Sequence, residues 1–228
     1  MSLIPKRQAF INSVKNVLQL IYNNPKLLKK TDASMKTKLQ AQGKEDSQGT
    51  GNQVTPQEVS FAMALEENGF KFISKAKKND HISYIKKNNI DNGHYYIYQV
   101  NGNQASIDFA TLLIENKEII SQYNFDLKHT TSKTFYLNDG WFHKDIIYIV
   151  TWSPKKNEVK SFIGLGQQIP TKEEQEEMEE LIEFKKKNSD KKKVGSLFTY
   201  IRFANRYSCE KFDDAYTKDN FEKVIEFI

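Results

Sequence analysis

The sequence has few of the residues and runs that characterise several large classes of protein. It contains one cysteine, Cys209, among 228 residues, so it can build neither a disulfide framework nor a thiolate zinc site, and a reducing cytoplasm is the expected environment. No apolar run has the length of a membrane span, and residues 1–10 lack the apolar block of a signal peptide. We therefore expect a soluble, cytoplasmic protein with no membrane partner.

Several catalytic motifs are missing as well. The four histidines show neither HExxH nor any other paired spacing. Gly164 and Gly166 flank a single leucine and do not extend into a dinucleotide-binding GxGxxG or a P-loop, and no serine lies in a nucleophile elbow. These absences argue against zinc hydrolases, nucleotide-dependent enzymes and serine hydrolases.

The composition is that of a folded domain with a very polar surface. Hydrophobic residues make up 38% and aromatic residues 12% of the chain, enough for a sizeable core. Charged residues reach 28%, and 34 basic residues against 29 acidic ones give a net charge of +5. This mild excess permits a polyanionic partner without requiring one.

The N-terminal quarter contains one clear helix and one polar stretch. Apolar residues at helical spacing between Pro5 and Tyr22 predict a core or dimer-packing helix, and residues 1–28 are a candidate dimerisation arm. Residues 29–53 are mostly Lys, Gln, Ser, Thr, Asp and Gly, which indicates a flexible polar connector. Residues 54–228 form the predicted main domain.

The main domain begins with a strong helix-start signal. Thr55 is the expected N-cap, Pro56 takes the first helical position, and Glu58 lies three residues after the cap. Glu58 is therefore either a capping-box partner or a ligand at a nearby site. Strands in succession, a helix, a strand and a last helix follow, so we predict an α/β (α+β) fold in which helices flank a mixed central β-sheet.

One pair of strands carries residues suited to chemistry. In an extended strand that includes Phe125 and Leu127, those two side chains can enter a core while Asp126 and Lys128 share the other face. If the strand after Asp108 pairs with this strand, Asp108 supplies a second carboxylate. A buried Asp and Lys are costly unless they are paired or bind a metal, although an exposed surface pair is the simpler alternative.

This arrangement predicts hydrolysis of phosphodiester bonds with Mg²⁺. Oxygen ligands from Asp108, Asp126 and the Leu127 carbonyl suit that cation, which stabilises charge on a phosphate and makes water more acidic. Lys128 could orient or deprotonate the attacking water, or neutralise the transition state. The sequence leaves these roles for Lys128 open.

The order of a Glu-bearing helix, Ile-Asp-Phe and Phe-Asp-Leu-Lys resembles the core of PD-(D/E)xK nucleases, in particular type II restriction endonucleases of the EcoRV and PvuII type. The resemblance covers about residues 55–152, the expected catalytic core of a nuclease domain. It implies that Asp108 and Asp126 bind Mg²⁺, that Lys128 acts at the water and that Glu58 is an accessory carboxylate. Ile107 replaces the proline of the motif, and the long gap between the carboxylates leaves Glu115 and Glu118 as alternatives to Asp108.

The same resemblance implies a homodimer that cuts palindromic double-stranded DNA at a defined site. The chain length, and a richness in Lys, Asn, Ile, Phe and Tyr that suggests an AT-rich genome, favour a site of A and T alone. Residues 130–144 form either a DNA-contacting segment or a polar surface loop. Its candidate DNA contacts are Thr130, Thr131, Ser132, Lys133, Asn138 and Asp139. A structure-selective repair or recombination nuclease and a non-catalytic nucleic-acid-binding protein are the two alternative functions.

Overall fold

The structure, a computed structural model, describes residues 3–43, 54–73, 81–99, 107–137, 141–155, 158–189, 193–194, 197–198 and 205–228. Its α-helices are α1 (Leu3–Asn23), α2 (Ala33–Gly43), α3 (Pro56–Glu67), α4 (His81–Lys87), α5 (Lys172–Ser189) and α6 (Asp214–Phe227), and a 3-10 helix spans Pro25–Lys29. Its strands are β1 (Lys71–Phe72), β2 (Gly93–Tyr98), β3 (Phe109–Glu115), β4 (Glu118–Thr130), β5 (Thr134–Leu137), β6 (Ile146–Trp152), β7 (Lys160–Leu165), β8 (Lys193–Val194), β9 (Leu197–Phe198) and β10 (Asn205–Ser208).

A six-stranded mixed sheet forms the centre of the molecule. Its strand order is β1-β2-β3-β4-β6-β7, with β1 parallel to β2, β4 parallel to β6, and antiparallel pairing elsewhere. The prediction of a mixed sheet flanked by helices is confirmed. This architecture does not by itself distinguish a restriction-endonuclease-like core from other mixed folds. None of the helices in the described ranges combines the length and apolar character needed to cross a bilayer.

Helix α1 is packed into the core of its own chain. The predicted helical stripe is buried in one cluster with side chains of α3, the sheet and α6. The buried residues of this stripe are Phe10, Val14, Val17, Leu18 and Ile21. Dimerisation through residues 1–28 stays a prediction, and it would have to use the other face of α1. The main core therefore extends across the predicted boundary at residue 54.

The predicted flexible connector is wrong for part of residues 29–53, because α2 occupies 33–43. Asp32 caps this helix by accepting a hydrogen bond from the Met35 N–H at 2.7 Å. Met35 and Leu39 lie four residues apart on one helical face, and both are buried. Two apolar residues at this spacing were sufficient for docking, although they gave little periodic signal. Residues 44–53 lie outside the described ranges.

The hairpin of β3 and β4 contains an irregularity that matters for the site. The tight turn at Asn116 and Lys117 has positive φ at both residues, +50° and +65°. Between Leu113 and Ile114 the register shifts, and Ile120 becomes an extra residue on β4. Every residue of β4 beyond this β-bulge is displaced by one position relative to β3.

Candidate active site

Asp108 folds onto an open edge of β4. The ladder between β3 and β4 ends at the pair Phe109 and Phe125, and in the described part of the chain β4 then continues with β6 as its strand partner. The Asp108 N–H donates to the Phe125 carbonyl at 2.9 Å, and the Leu127 N–H donates to Asp108 Oδ2 at 2.7 Å. The expected pairing of the Asp108 strand with the Asp126 strand is confirmed.

The β-bulge sets which residues meet at this edge. With Ile120 present, the register of the ladder, continued by one pair, aligns Asp108 with Asp126. If the same residues paired in a regular ladder without a bulge, Ile107 would occupy that position opposite Asp126. The long spacing between the two carboxylates in the sequence is therefore compatible with direct contact.

Asp126 and Lys128 form a partly buried ion pair, in which Asp126 is buried and Lys128 is half-buried. Lys128 Nζ lies 2.5 Å from Asp126 Oδ1, and their side chains are 12% and 3% exposed. Phe125 and Leu127, which alternate with them, lie in the core cluster that includes α1 and α3. The predicted alternation is confirmed, and the alternative of a solvated surface pair does not describe this geometry.

Asp108 and Asp126 interact as a coupled pair of carboxyls. Burial raises the pKa of Asp108 to about 7, and the charge of Asp126 and a hydrogen bond that protonated Asp108 can donate to the Asp126 side chain contribute in the same direction. Lys128 and the Leu127 N–H act in the opposite direction. Two adjacent buried carboxylates repel each other when both are ionised, so a proton or a cation between them is favoured.

Glu58 has a structural role and also faces the site. Its Oε2 accepts a hydrogen bond from the Thr55 N–H at 2.6 Å, and the Thr55 hydroxyl accepts one from the Glu58 N–H, which completes the predicted capping box. Its Oε1 accepts a hydrogen bond from the Tyr98 hydroxyl at 2.7 Å. Burial, followed by the charge of Asp108, raises the pKa of Glu58. The carboxylate of Glu58 is thus within electrostatic reach of Asp108.

Gln57 and Tyr98 are site neighbours that sequence reasoning missed. The buried Gln57 amide donates hydrogen bonds to the carbonyls of Lys128 and Ile149, at 3.3 and 3.2 Å. It thereby ties the start of α3 to β4 and β6 beside Lys128. The capping motif placed Gln57 in the first helical turn, but no sequence signal showed which strands this turn would contact.

The residues at the open edge fit a small hard cation. The N–H and C=O of one residue in a strand point to the same side, so the Leu127 carbonyl lies on the edge where its N–H meets Asp108. Among the described residues, no three acidic, histidine or cysteine side chains come together as a complete ligand cluster. Mg²⁺ commonly uses one or two carboxylates and takes its other ligands from water and substrate, so Asp108 and Asp126 satisfy this requirement.

The two alternatives to Asp108 are not at the site. Glu115 and Glu118 face each other at the turn end of the hairpin, and Asp108 lies at the other end of β3. Glu115 is 2.8 Å from Lys6 Nζ, which places its carboxylate against α1. The position of Asp108 in the motif is therefore the one that the geometry favours.

The predicted DNA-contacting segment begins at the turn after β4. The hydroxyls of Thr130 and Ser132 both donate to the Thr134 carbonyl at 2.8 Å, and they stabilise this turn. An open cleft of about 450 Å³ lies beside it. Thr131, Ser132 and Lys133 contribute to the lining of this cleft. Asn138 and Asp139 lie outside the described residues, so their predicted role has no structural counterpart here.

Opposite charges balance in this cleft. Lys133 Nζ lies 2.5 Å from Glu210 Oε1, and Lys160 Nζ lies 3.7 Å from Asp214 Oδ1. With Glu158, Asp213 and Lys155, the lining carries three acidic and three basic side chains. The cleft does not have the uniform positive charge that attracts a polyanion.

Comparison with protein-family models, with curated protein sequences and with solved structures finds no match to this chain. The case for a function therefore depends on the geometry of the site and on the motif in the sequence.

Proposed function

We propose that the protein is a Mg²⁺-dependent endonuclease that hydrolyses phosphodiester bonds in double-stranded DNA. The observation that carries this proposal is the largely desolvated group of Asp108, Asp126 and Lys128, with a carbonyl on the same open strand edge. Withdrawing two carboxyls and an ammonium from water is unfavourable for folding, and a catalytic role would explain that cost.

The roles of the residues follow from their positions. Asp108, Asp126 and the Leu127 carbonyl would hold Mg²⁺, which supplies stabilisation of negative charge on the phosphate and acidification of water. Asp126 fixes the Lys128 ammonium through their ion pair. Lys128 would then hold the attacking water or neutralise the charge that develops on the phosphate. Glu58 would contribute negative charge behind Asp108.

The more specific function is a type II restriction endonuclease that acts as a homodimer on a palindromic site. Support comes from the resemblance of the Ile-Asp-Phe and Phe-Asp-Leu-Lys segments to that class and from the net charge of +5. Two-fold symmetry of the protein would match two-fold symmetry of the DNA site.

Digestion of long duplex DNA tests this proposal. The purified protein is incubated with Mg²⁺, and a parallel sample contains EDTA. Discrete fragments in Mg²⁺ alone are the expected result. A smear or a preference for branched DNA would instead indicate a structure-selective nuclease, and intact DNA under all conditions would contradict nuclease activity.

A non-catalytic nucleic-acid-binding protein is the second candidate. The observation that favours it is the direct pairing of Lys128 with Asp126, which compensates both charges without a metal. In that case the protein would shift labelled duplex DNA in a binding assay, and the digest would show no cleavage.

A further inference from the structure

A lysine and a histidine lie together at the carboxyl ends of β4 and β6. Lys29 Nζ, at the end of the 3-10 helix, donates a hydrogen bond to Ser153 Oγ at 3.3 Å. The ring of His129 has its Nδ1 3.0 Å from the Thr151 hydroxyl. Thr151 and Ser153 lie two residues apart along the chain, so these two contacts bring the Lys29 ammonium and the His129 ring to the same end of β6. Two potential donors to an anion are thus close neighbours.

The backbone of Lys29 and of the following residue, Lys30, is anchored. Leu28 is buried in the main core, and the Ser60 hydroxyl of α3 donates to the Lys30 carbonyl at 2.6 Å. Lys29 and Lys30 themselves are exposed. Their backbone is therefore held against α3 while their charged ends reach solvent.

The charges of Lys29 and Lys30 are not compensated by a neighbouring acid. Within the described ranges, neither ammonium has a carboxylate at ion-pair distance. Lys133 in the cleft differs, because Glu210 pairs with it. A cation without a carboxylate partner among the described residues gains more from binding a phosphate than a cation that must first leave a carboxylate.

Resting on the proposed nuclease function, we propose that Lys29, Lys30 and His129 bind the phosphodiester backbone of double-stranded DNA next to the bond that is cut. His129 follows Lys128 along β4 and points to the opposite face of the sheet. A DNA backbone that crosses the open end of β4 would meet Lys128 on one face of the sheet. On the other face it would meet Lys29, Lys30 and His129. Contacts of this kind position the duplex and carry no base specificity.

Binding of a short labelled DNA duplex in EDTA, followed by fluorescence anisotropy at several salt concentrations, tests the proposal without cleavage. Lys29→Gln is expected to weaken binding about three- to tenfold between about 50 and 200 mM salt and to reduce the slope of log K against log salt by about 1. The loss should be the same for unrelated sequences. Lys187→Gln, with the same change of charge at an exposed position of α5, is the matched control and should bind within twofold of the wild type, and Lys133→Gln tests the cleft as the alternative path.

Because the Lys29 side chain is exposed, Lys29→Gln should fold like the wild type, and circular dichroism checks this. Wild-type affinity and salt slope in Lys29→Gln would overturn the proposal. A larger loss of affinity in Lys133→Gln would also overturn it, because the DNA backbone would then bind in the cleft. Competition by poly-glutamate as effective as that by DNA would also overturn it, because a phosphodiester subsite would not be needed. Cleavage in Mg²⁺ is scored separately. Lys29-dependent binding without cleavage would contradict the nuclease function alone.

Discussion

At the residue scale, the candidate site is defined by how three charged groups compensate one another. Asp126 is paired with Lys128, and Asp108 is left with one backbone N–H and a neighbouring carboxyl. The negative charge of ionised Asp108 is therefore compensated less fully than that of Asp126. This asymmetry gives the three residues different roles and different expected phenotypes.

Removal of Lys128 or of the Asp126 charge tests the assignment most directly. Lys128→Ala and Asp126→Asn should each lower DNA cleavage about 10²-fold or more, because each removes a charge at the reacting phosphate. Folding and DNA binding with Ca²⁺ in place of Mg²⁺ should persist. Lys187→Ala, which removes an exposed lysine on α5, is the control. Wild-type cleavage rates in either site variant would be incompatible with this site.

Asp108 should make the metal-free protein less stable as the pH rises. Its pKa lies near 7 in the folded protein and at 3.8 ordinarily, so between these values the unfolded chain binds fewer protons and stability falls by up to about 1.4 kcal/mol per pH unit. Below this window the contribution is fully present. Asp108→Asn should remove this part of the pH dependence and melt higher than the wild type at pH 8, but not at pH 4.

Thermal melts in EDTA at several pH values make this comparison. Asn retains an oxygen that can accept from the Leu127 N–H, so the variant isolates the effect of charge. Parallel pH profiles for the two proteins would show that the Asp108 carboxyl is not destabilising.

Two variants should distinguish the capping role of Glu58 from its role at the site. Glu58→Ala removes an acceptor of the Thr55 N–H and should lower the free energy of unfolding by about 1 kcal/mol, with a partial loss of cleavage. Thr55→Ala breaks the same capping box from the other side and leaves the carboxylate in place. It should cost similar stability in a urea titration without loss of cleavage. Equal cleavage by all three proteins would restrict Glu58 to capping.

At the scale of elements, two glycines around β7 have a packing role. A Cβ at Gly166 would lie 2.0 Å from the His143 carbonyl oxygen, and one at Gly164 would lie 2.5 Å from Phe162 Cζ. The sequence had shown only that these glycines form no nucleotide-binding motif. Their absence of side chains lets neighbouring backbone and rings approach closely.

Gly166→Ala should therefore destabilise the protein by about 3 kcal/mol or more, because the backbone of the 143–146 segment would have to move. Gly69→Ala is the comparison. Its φ of +86° is strained for alanine, but an added Cβ would have nothing within 4 Å, so about 1 kcal/mol is expected. Denaturant midpoints measure both, and equal losses would contradict the steric argument.

Elements with local signals were the predictable ones. The capping box fixed the start of α3, and alternation in β4 placed Asp126 and Lys128 on one face. The bulge at Ile120 and the Gln57 bridge had no such signal, since each depends on how distant segments meet. The sequence could thus predict that Asp108 and Asp126 would meet if their strands paired. It could not predict the register in which the strands pair.

At the scale of the whole molecule, residues from both ends of the chain share one core. Phe10 of α1 packs against Phe70, His94 and Tyr123, and the Tyr123 hydroxyl donates to the Ile228 carbonyl at 2.8 Å. A helix that had only an accessory role would not occupy the centre of the main cluster. The N-terminal helix is therefore part of the cooperative unit.

Phe10→Ala should lower the free energy of unfolding by about 3–5 kcal/mol, the range for a buried aromatic ring. Because α1 and the sheet share the core, helical circular dichroism and tryptophan fluorescence should report one coincident transition. Ile4→Ala, at an exposed position of the same helix, should be near neutral. Two separate transitions would indicate that α1 unfolds as an independent arm.

The bulge in the β3–β4 hairpin also restricts how the gene for this protein can change. Surface hairpins usually tolerate insertions and deletions, because their length affects little beyond the turn. Here the length of the hairpin and its one bulged residue together decide which residue aligns with Asp126. A single-codon insertion or deletion that shifts this register would replace the carboxylate partner even if every catalytic residue were kept, whereas deletion of Ile120 itself would remove the bulge and leave Asp108 opposite Asp126.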